Sequence, residues 1–166
     1  HVVPQEVASS PLLRENLKLM QGSGLTFDLI VQQRDLPNAM ALADSAPDLQ
    51  FVLNHCGGPD LKAGKAQPWW GHIAELAKRP NVVAKVSGII AYTDPDNWTV
   101  ESLRPYVEHT ITSFGWDRVV WGSDWPVCNL GGGLSAWVAA THALIAGASR
   151  HERDSLFSGN ARRIWK

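Results

Sequence analysis

Apolar residues follow two alternating rhythms along this chain. Short runs rich in β-branched and aromatic residues, bounded by Gly, Pro or polar positions, predict strands over 26–32 (TFDLIVQ), 50–55 (QFVLNH), 81–87 (NVVAKVS) and 118–124 (RVVWGSD). Between and around them the apolar positions recur at helical spacing. Leu13, Leu17 and Met20 share one face, Val100, Leu103, Val107, Ile111 and Phe114 a second, and Leu134, Trp137, Val138, Leu144 and Ile145 a third. Two more helices are predicted over 37–45 and 68–78, each opening on a proline, which the first turn tolerates because its N–H would be unpaired anyway.

Buried strands alternating with helices define an α/β architecture, either a doubly wound sheet or a (β/α)8 barrel. A complete barrel of about 250 residues devotes about 31 residues to each of its eight units. At that pitch 166 residues hold only about five units. Spacing alone therefore favours the doubly wound sheet, which would be complete at this length. No strand, however, is followed by a GxGxxG or GxxxxGK[ST] phosphate loop. There is also no internal repeat, low-complexity stretch or linker, so one domain is expected.

The strand ends are where chemistry gathers. Side chains alternate across a strand, and in a barrel the last inward residues line the active-site mouth. Alternation puts Asp28, Ile30 and Gln32 on one face of the first strand and Phe51, Leu53 and His55 on one face of the second. It groups Val83, Lys85 and Ser87 in the third, and Val120, Gly122 and Asp124 in the fourth. Four consecutive strands thus end in Gln32, His55, Lys85 with Ser87, and Asp124, each followed by turn residues. The set offers a general base, an imidazole and a cation able to stabilise negative charge. Each residue also has a plainer role open to it. A strand-end histidine is more often structural, Asp124 could cap the following turn, and Lys85 could send its ammonium to solvent along a packed stem. Asp28 reads as structural. His72, His109, His142 and His151 are expected on helix surfaces. Trp69 and Trp70 either pack a helix on the sheet or line a cleft, and Trp125, beside Asp124, is expected in the pocket.

Composition narrows the partners. A chain 45% hydrophobic and 19% charged, with net charge -1 and scattered basic residues, gives no electrostatic reason to bind nucleic acid or an anionic membrane. No apolar run approaches the roughly 20 residues of a membrane span, and no signal segment is evident, although the sequence begins at His1. The two cysteines, Cys56 and Cys128, are too few for a disulfide framework and read as reduced, small apolar side chains, so a cytoplasmic setting is expected.

Four segments in order, FVLNHCGGP (51–59), VAKVSG (83–88), WGSDWPV (121–127) and NARRIW (160–165), resemble the last part of the amidohydrolase-related TIM-barrel hydrolases. The branch they resemble contains sugar-acid lactonases and the 2-pyrone-4,6-dicarboxylate lactonase. Residues 1–6 and the strand at 26–32 are similar to the middle of that family, so the resemblance covers nearly the whole chain. It implies a partial (β/α)8 barrel, about strands 4/5 to 8 with their helices, with residues 1–166 the C-terminal portion of a single hydrolase domain. It also implies a small-molecule lactone or carboxylate substrate. By resemblance His55 ends barrel strand six, and Asp124 ends strand eight as the residue that moves a proton from the attacking water to the leaving oxygen. Gln32, Lys85, Ser87 and Trp125 would bind substrate. The His-x-His pair of the family's first strand has no counterpart here, and strand four survives at most as residues 1–5. The end of strand five offers Gln32 and Gln33 where many members place a metal ligand. His55 and Asp124 are too few for a catalytic zinc, so no metal site is expected in this chain, although the intact protein could use zinc. A metal-dependent decarboxylase of the same fold, and an inactive fragment with an open sheet edge, are the competing readings.

Overall fold

The computed structural model describes residues 9–64 and 66–165; the expected strand remnant at 1–5 lies outside them. The elements run α1 (Pro11–Met20), β1 (Thr26–Leu29), α2 (Leu36–Ser45), β2 (Gln50–Leu53), α3 (Trp69–Leu76), β3 (Val82–Val86), α4 (Val100–Phe114), β4 (Val119–Trp121), α5 (Gly133–Leu144), α6 (Arg150–Asp154) and α7 (Asn160–Ile164). A π-helical turn, Ser155–Gly159, joins the last two. The strands form one parallel sheet in the order β1-β2-β3-β4. Every crossover carries a helix, as a parallel connection requires.

The strands are shorter than predicted at their C-terminal ends, because the chain leaves the ladder there to form the rim turns. The helices match their apolar faces. Leu103, Val107, Ile111 and Phe114 are buried on α4, whose start is fixed by a capping box between Thr99 and Ser102. On α5 the expected face is partly wrong. Leu134 is exposed, and the small residues Ala140 and Thr141 are buried beside Trp137 and Leu144. The Thr141 hydroxyl on that face accepts from the Trp121 indole N–H at 3.0 Å, so a polar residue is buried there with its hydrogen bond satisfied.

One side of the sheet meets the helices through Leu29, Phe51, Leu53, Val82, Ala84, Val86 and Val119, all buried in the main core. The register places Asp28, Val52, Val83, Lys85 and Val120 on the other side. This corrects the second strand: Phe51 and Leu53 face the helices, and Val52 and Asn54 share the inner side with Asp28 and Lys85. A short strand gave parity no anchor, and one residue of slip exchanges the faces.

Tryptophans act as pins. The indole N–H of Trp69 donates to the Cys56 carbonyl (2.8 Å), that of Trp137 to Gly122 (2.9 Å) and that of Trp98 to Gly131 (2.9 Å). Each secures a loop at the C-terminal rim while its ring fills a helix seam. Trp69 is fully buried, so the packing role wins over the cleft role. Trp70 stacks on His109 (3.8 Å between centroids), whose Nε2–H donates to the Trp70 carbonyl at 2.8 Å. His109 and His72 are therefore half-buried in the α3 region rather than on the surface as expected, whereas His142 and His151 are exposed. The terminal NARRIW segment is also tied down: the Asn160 side-chain amide donates to the Trp116 and Val119 carbonyls, both at 2.7 Å, and the Trp165 indole to Thr26 Oγ1 at 3.1 Å.

Candidate active site

Continued alternation past Leu53 would send His55 to the helix side. It does not go there. The Asn54 N–H donates to the Leu29 carbonyl (3.0 Å), and then His55 (φ 53°), Cys56 (52°), Gly57 (75°) and Gly58 (60°) all take left-handed backbone. For a non-glycine residue that conformation costs about 1–2 kcal/mol. Offsetting bonds run from the Gly57 N–H to the Asn54 carbonyl and from the Gly58 N–H to the His55 carbonyl, both 2.9 Å, with the Trp69 pin beneath. The turn swings the imidazole to the rim, and strain of this kind gathers at functional sites.

Asp124, beyond β4, also has left-handed backbone (φ 53°). Its Oδ1 lies 3.9 Å from His55 Nε2, and its buried Oδ2 has no hydrogen-bond partner among the described residues. On the other edge of the imidazole, Nδ1 is 2.9 Å from Ser87 Oγ. Gly88 makes this convergence possible: a Cβ there would overlap His55 Nδ1 and come within 3.0 Å of Asp124 Oδ2.

Burial holds the His55 pKa below its ordinary value; Asp124 opposes the shift, and Lys85 reinforces it. The ring is therefore neutral at neutral pH, with one donor and one acceptor nitrogen. Serine, histidine and aspartate in line resemble a nucleophile triad, but Ser87 is 1% exposed and no substrate can reach it. Its hydroxyl orients the ring instead. Cys56 is no nucleophile either, since complete burial pushes its thiol up to about 11.

A cavity of about 550 Å3 opens beside His55, lined by Gln32, Gly58, Pro59, Leu61 and Tyr92 among others. Tyr92 meets His55 edge to face, with centroids 6.2 Å apart. A larger cavity of about 720 Å3, between α4 and the α5–α6 connection, contains neither His55 nor Asp124.

Of the residues expected from sequence, His55, Asp124 and Ser87 come together, and Gln32 faces the cleft beside them. Lys85 is engaged elsewhere. Its Nζ donates to Asn54 Oδ1 (2.6 Å) and Asp28 Oδ1 (3.2 Å), and Asn54 Nδ2 also donates to Asp28 Oδ1 (2.7 Å). Asp28 is thus part of the rim network. Trp125 is 67% exposed and does not line the cleft; the turn that half-buries Asp124 leaves the next side chain exposed. Sequence reasoning missed Asn54, which correct parity would have found, and Tyr92, which sits on a short 3-10 turn with no periodic signal.

His55 and Asp124 supply two candidate metal donors. Among the described residues no group of three His, Cys, Asp or Glu could hold an ion, whereas a catalytic zinc uses three protein ligands. These residues alone do not fit a resident zinc.

The sequence profile of the amidohydrolase family matches residues 1–166. The chain belongs to that family. An L-fucono-1,5-lactonase of Burkholderia ambifaria is 38% identical over 134 residues, covering 78% of this chain and 45% of that protein. An amidohydrolase of Burkholderia multivorans, solved with bound zinc, superposes with a TM-score of 0.90 at 25% identity, covering 96% of this chain and 59% of that one. A TIM-barrel protein of Bordetella bronchiseptica superposes at 0.65 with 17% identity, covering 95% and 51%. This amidohydrolase chain therefore has the fold of part of a TIM barrel, and it spans about half the length of the relatives it matches. No described helix is long and apolar enough to cross a membrane.

Proposed function

We propose that the protein is a lactone hydrolase acting on a sugar acid or related carboxylic acid, and that residues 1–166 are the later portion of its barrel domain. One observation carries this reading: an imidazole from the β2 rim lines an open cleft and stands 3.9 Å from a carboxylate of the β4 rim. The likeness to a named lactonase supports the choice of substrate class.

Hydrolysis of a ring ester is acyl transfer to water. Asp124 takes a proton from water as its oxygen attacks the carbonyl carbon, then gives that proton to the ring oxygen as the C–O bond breaks. The neutral His55, held by Ser87, orients water and substrate. Gln32 lies across the cleft as a hydrogen-bonding group for substrate hydroxyls. The Asp28–Asn54–Lys85 network holds the strands that present these groups. Metal dependence in the whole protein would draw on further ligands beyond the described residues. A cytoplasmic setting belongs to the same proposal, supported by Cys56 and Cys128, both free and fully buried.

The test is hydrolysis of a panel of sugar-acid lactones, L-fucono-1,5-lactone included, followed by acid release. Asp124→Asn should lower kcat by about 1,000-fold, the range of a lost general base. A wild-type chain inert on the whole panel, or an Asn variant as fast as wild type, rejects the reading.

A further inference from the structure

Lactone hydrolysis, the reading on which this inference rests, puts negative charge on the carbonyl oxygen as water adds. A preorganised donor must face that oxygen, and such donors supply much of the rate in acyl transfer. Several polar groups near His55 are not free to do so. Lys85 is committed to Asn54 and Asp28, and its Nζ lies 5.7 Å over the Trp165 ring. Ser87 is bound to His55 and enclosed. The imidazole has one edge on Ser87 and the other toward Asp124. Arg34 stands at the outer lip of the cleft, 75% exposed and paired with Asp35 at 3.8 Å.

Tyr92 differs from all of these. It lines the cleft with Gln32 and Gly58, and its ring meets the edge of His55. Its phenol has no hydrogen-bond partner among the described residues. The residue is held firmly: its 3-10 turn, Ile89–Tyr92, is anchored by the fully buried Ile89 and Ile90, and the Ala91 N–H donates to the Gly88 carbonyl at 3.0 Å. Tyr92 is 40% exposed and lines the cleft, so a ligand bound there can touch it.

We propose that Tyr92 is a catalytic residue, donating its phenolic hydrogen to the carbonyl oxygen of the bound lactone and holding the oxyanion that forms there. As the water oxygen bonds to the carbonyl carbon and its proton passes to Asp124, the C=O π pair moves onto the oxygen facing Tyr92. When that pair returns, the ring C–O bond breaks and the proton on Asp124 goes to the departing oxygen, leaving a hydroxy acid. The phenol keeps its own proton throughout. Burial and the nearby Asp124 raise its pKa above the ordinary value, which preserves the donor into alkaline solution.

Tyr92→Phe keeps the ring and its contact with His55 and removes only the donor. On the lactone that wild type hydrolyses best, its kcat should fall by about 100-fold with KM little changed, the signature of an interaction made in the transition state. The thermal midpoint should match wild type, as expected for a half-exposed ring left in place. An unchanged kcat, or a rise in KM alone, overturns the assignment while leaving the hydrolase reading intact, provided Asp124→Asn is inactive. A wild-type chain that opens no lactone removes both.

Discussion

The two sides of the sheet are built from different interactions. Toward the helices, Phe27, Phe51, Leu53 and Val86 are held by apolar area, with Phe27 and Phe51 meeting edge to face at 5.8 Å. On the inner side and rim, Asp28, Asn54, Lys85, Ser87, His55 and Asp124 are held by hydrogen bonds and charge across neighbouring strands. Area burial is non-directional and tolerates small adjustments. A polar network works only when each donor faces its acceptor. The helix side therefore stabilises the fold and the rim specifies a geometry, and each should fail in its own way.

The largest separation should come from Phe51→Ala. Phe51 is fully buried, and truncating such a residue costs about 3–5 kcal/mol through lost transfer energy and a residual cavity. Urea denaturation should show that loss, while KM on any lactone hydrolysed under native conditions stays near wild type. A cost below about 1 kcal/mol would mean the site repacks freely and the helix side is not the main source of stability.

Lys85→Met is the matching change on the inner side. It keeps the stem and removes the ammonium, leaving Asp28 and Asn54 to each other. Hydrogen bonds to a charged group are worth about 1.5–3 kcal/mol, but Asp28 is 41% exposed and water screens the pair. The expected loss is therefore about 1 kcal/mol. The same variant decides whether Lys85 binds substrate, as the sequence suggested, or braces the strands. A brace gives a lower denaturation midpoint with KM nearly constant; a large rise in KM at unchanged stability would restore the substrate role.

These two residues also mark how far the sequence could be read. Strand–helix alternation and the apolar faces were legible because burial imposes a period, and α4 follows its predicted face closely. His55 and Asp124 were legible as strand-end residues, but the reason they meet was not. Parity placed His55 on the inner side together with Phe51 and Leu53; in fact a left-handed turn carries it there from the opposite parity. Such a turn leaves only an indirect trace in sequence, the Gly57-Gly58 pair that follows. Tyr92 was invisible because a 3-10 turn has no apolar period to betray which way its side chains face. Lys85 was noticed, but its partners Asp28 and Asn54 come from two other strands, and pairing across strands requires the register.

The smallest expected effect separates the rim from the helix side by pH. Burial lowers the His55 pKa, against the opposing pull of Asp124 and Asp28 and with the help of Lys85. In the unfolded chain the imidazole titrates near 6.5. Between that value and the lower folded one, the unfolded state binds more protons, so stability rises with pH across this window. The contribution is complete above about 6.5 and is lost as pH falls through the folded pKa. The test variant is His55→Asn, because asparagine tolerates the left-handed backbone better than other non-glycine residues. Thermal midpoints of the two proteins, followed from pH 8 down to pH 5, should diverge on the acid side, with wild type losing more. Phe51→Ala should keep a constant offset from wild type over the same range, since it removes no titratable group and leaves every histidine in place. Parallel curves for His55→Asn and wild type would mean that the imidazole is as well solvated in the folded state as in the unfolded one, and the description of His55 as a neutral, Ser87-oriented ring would have to be given up.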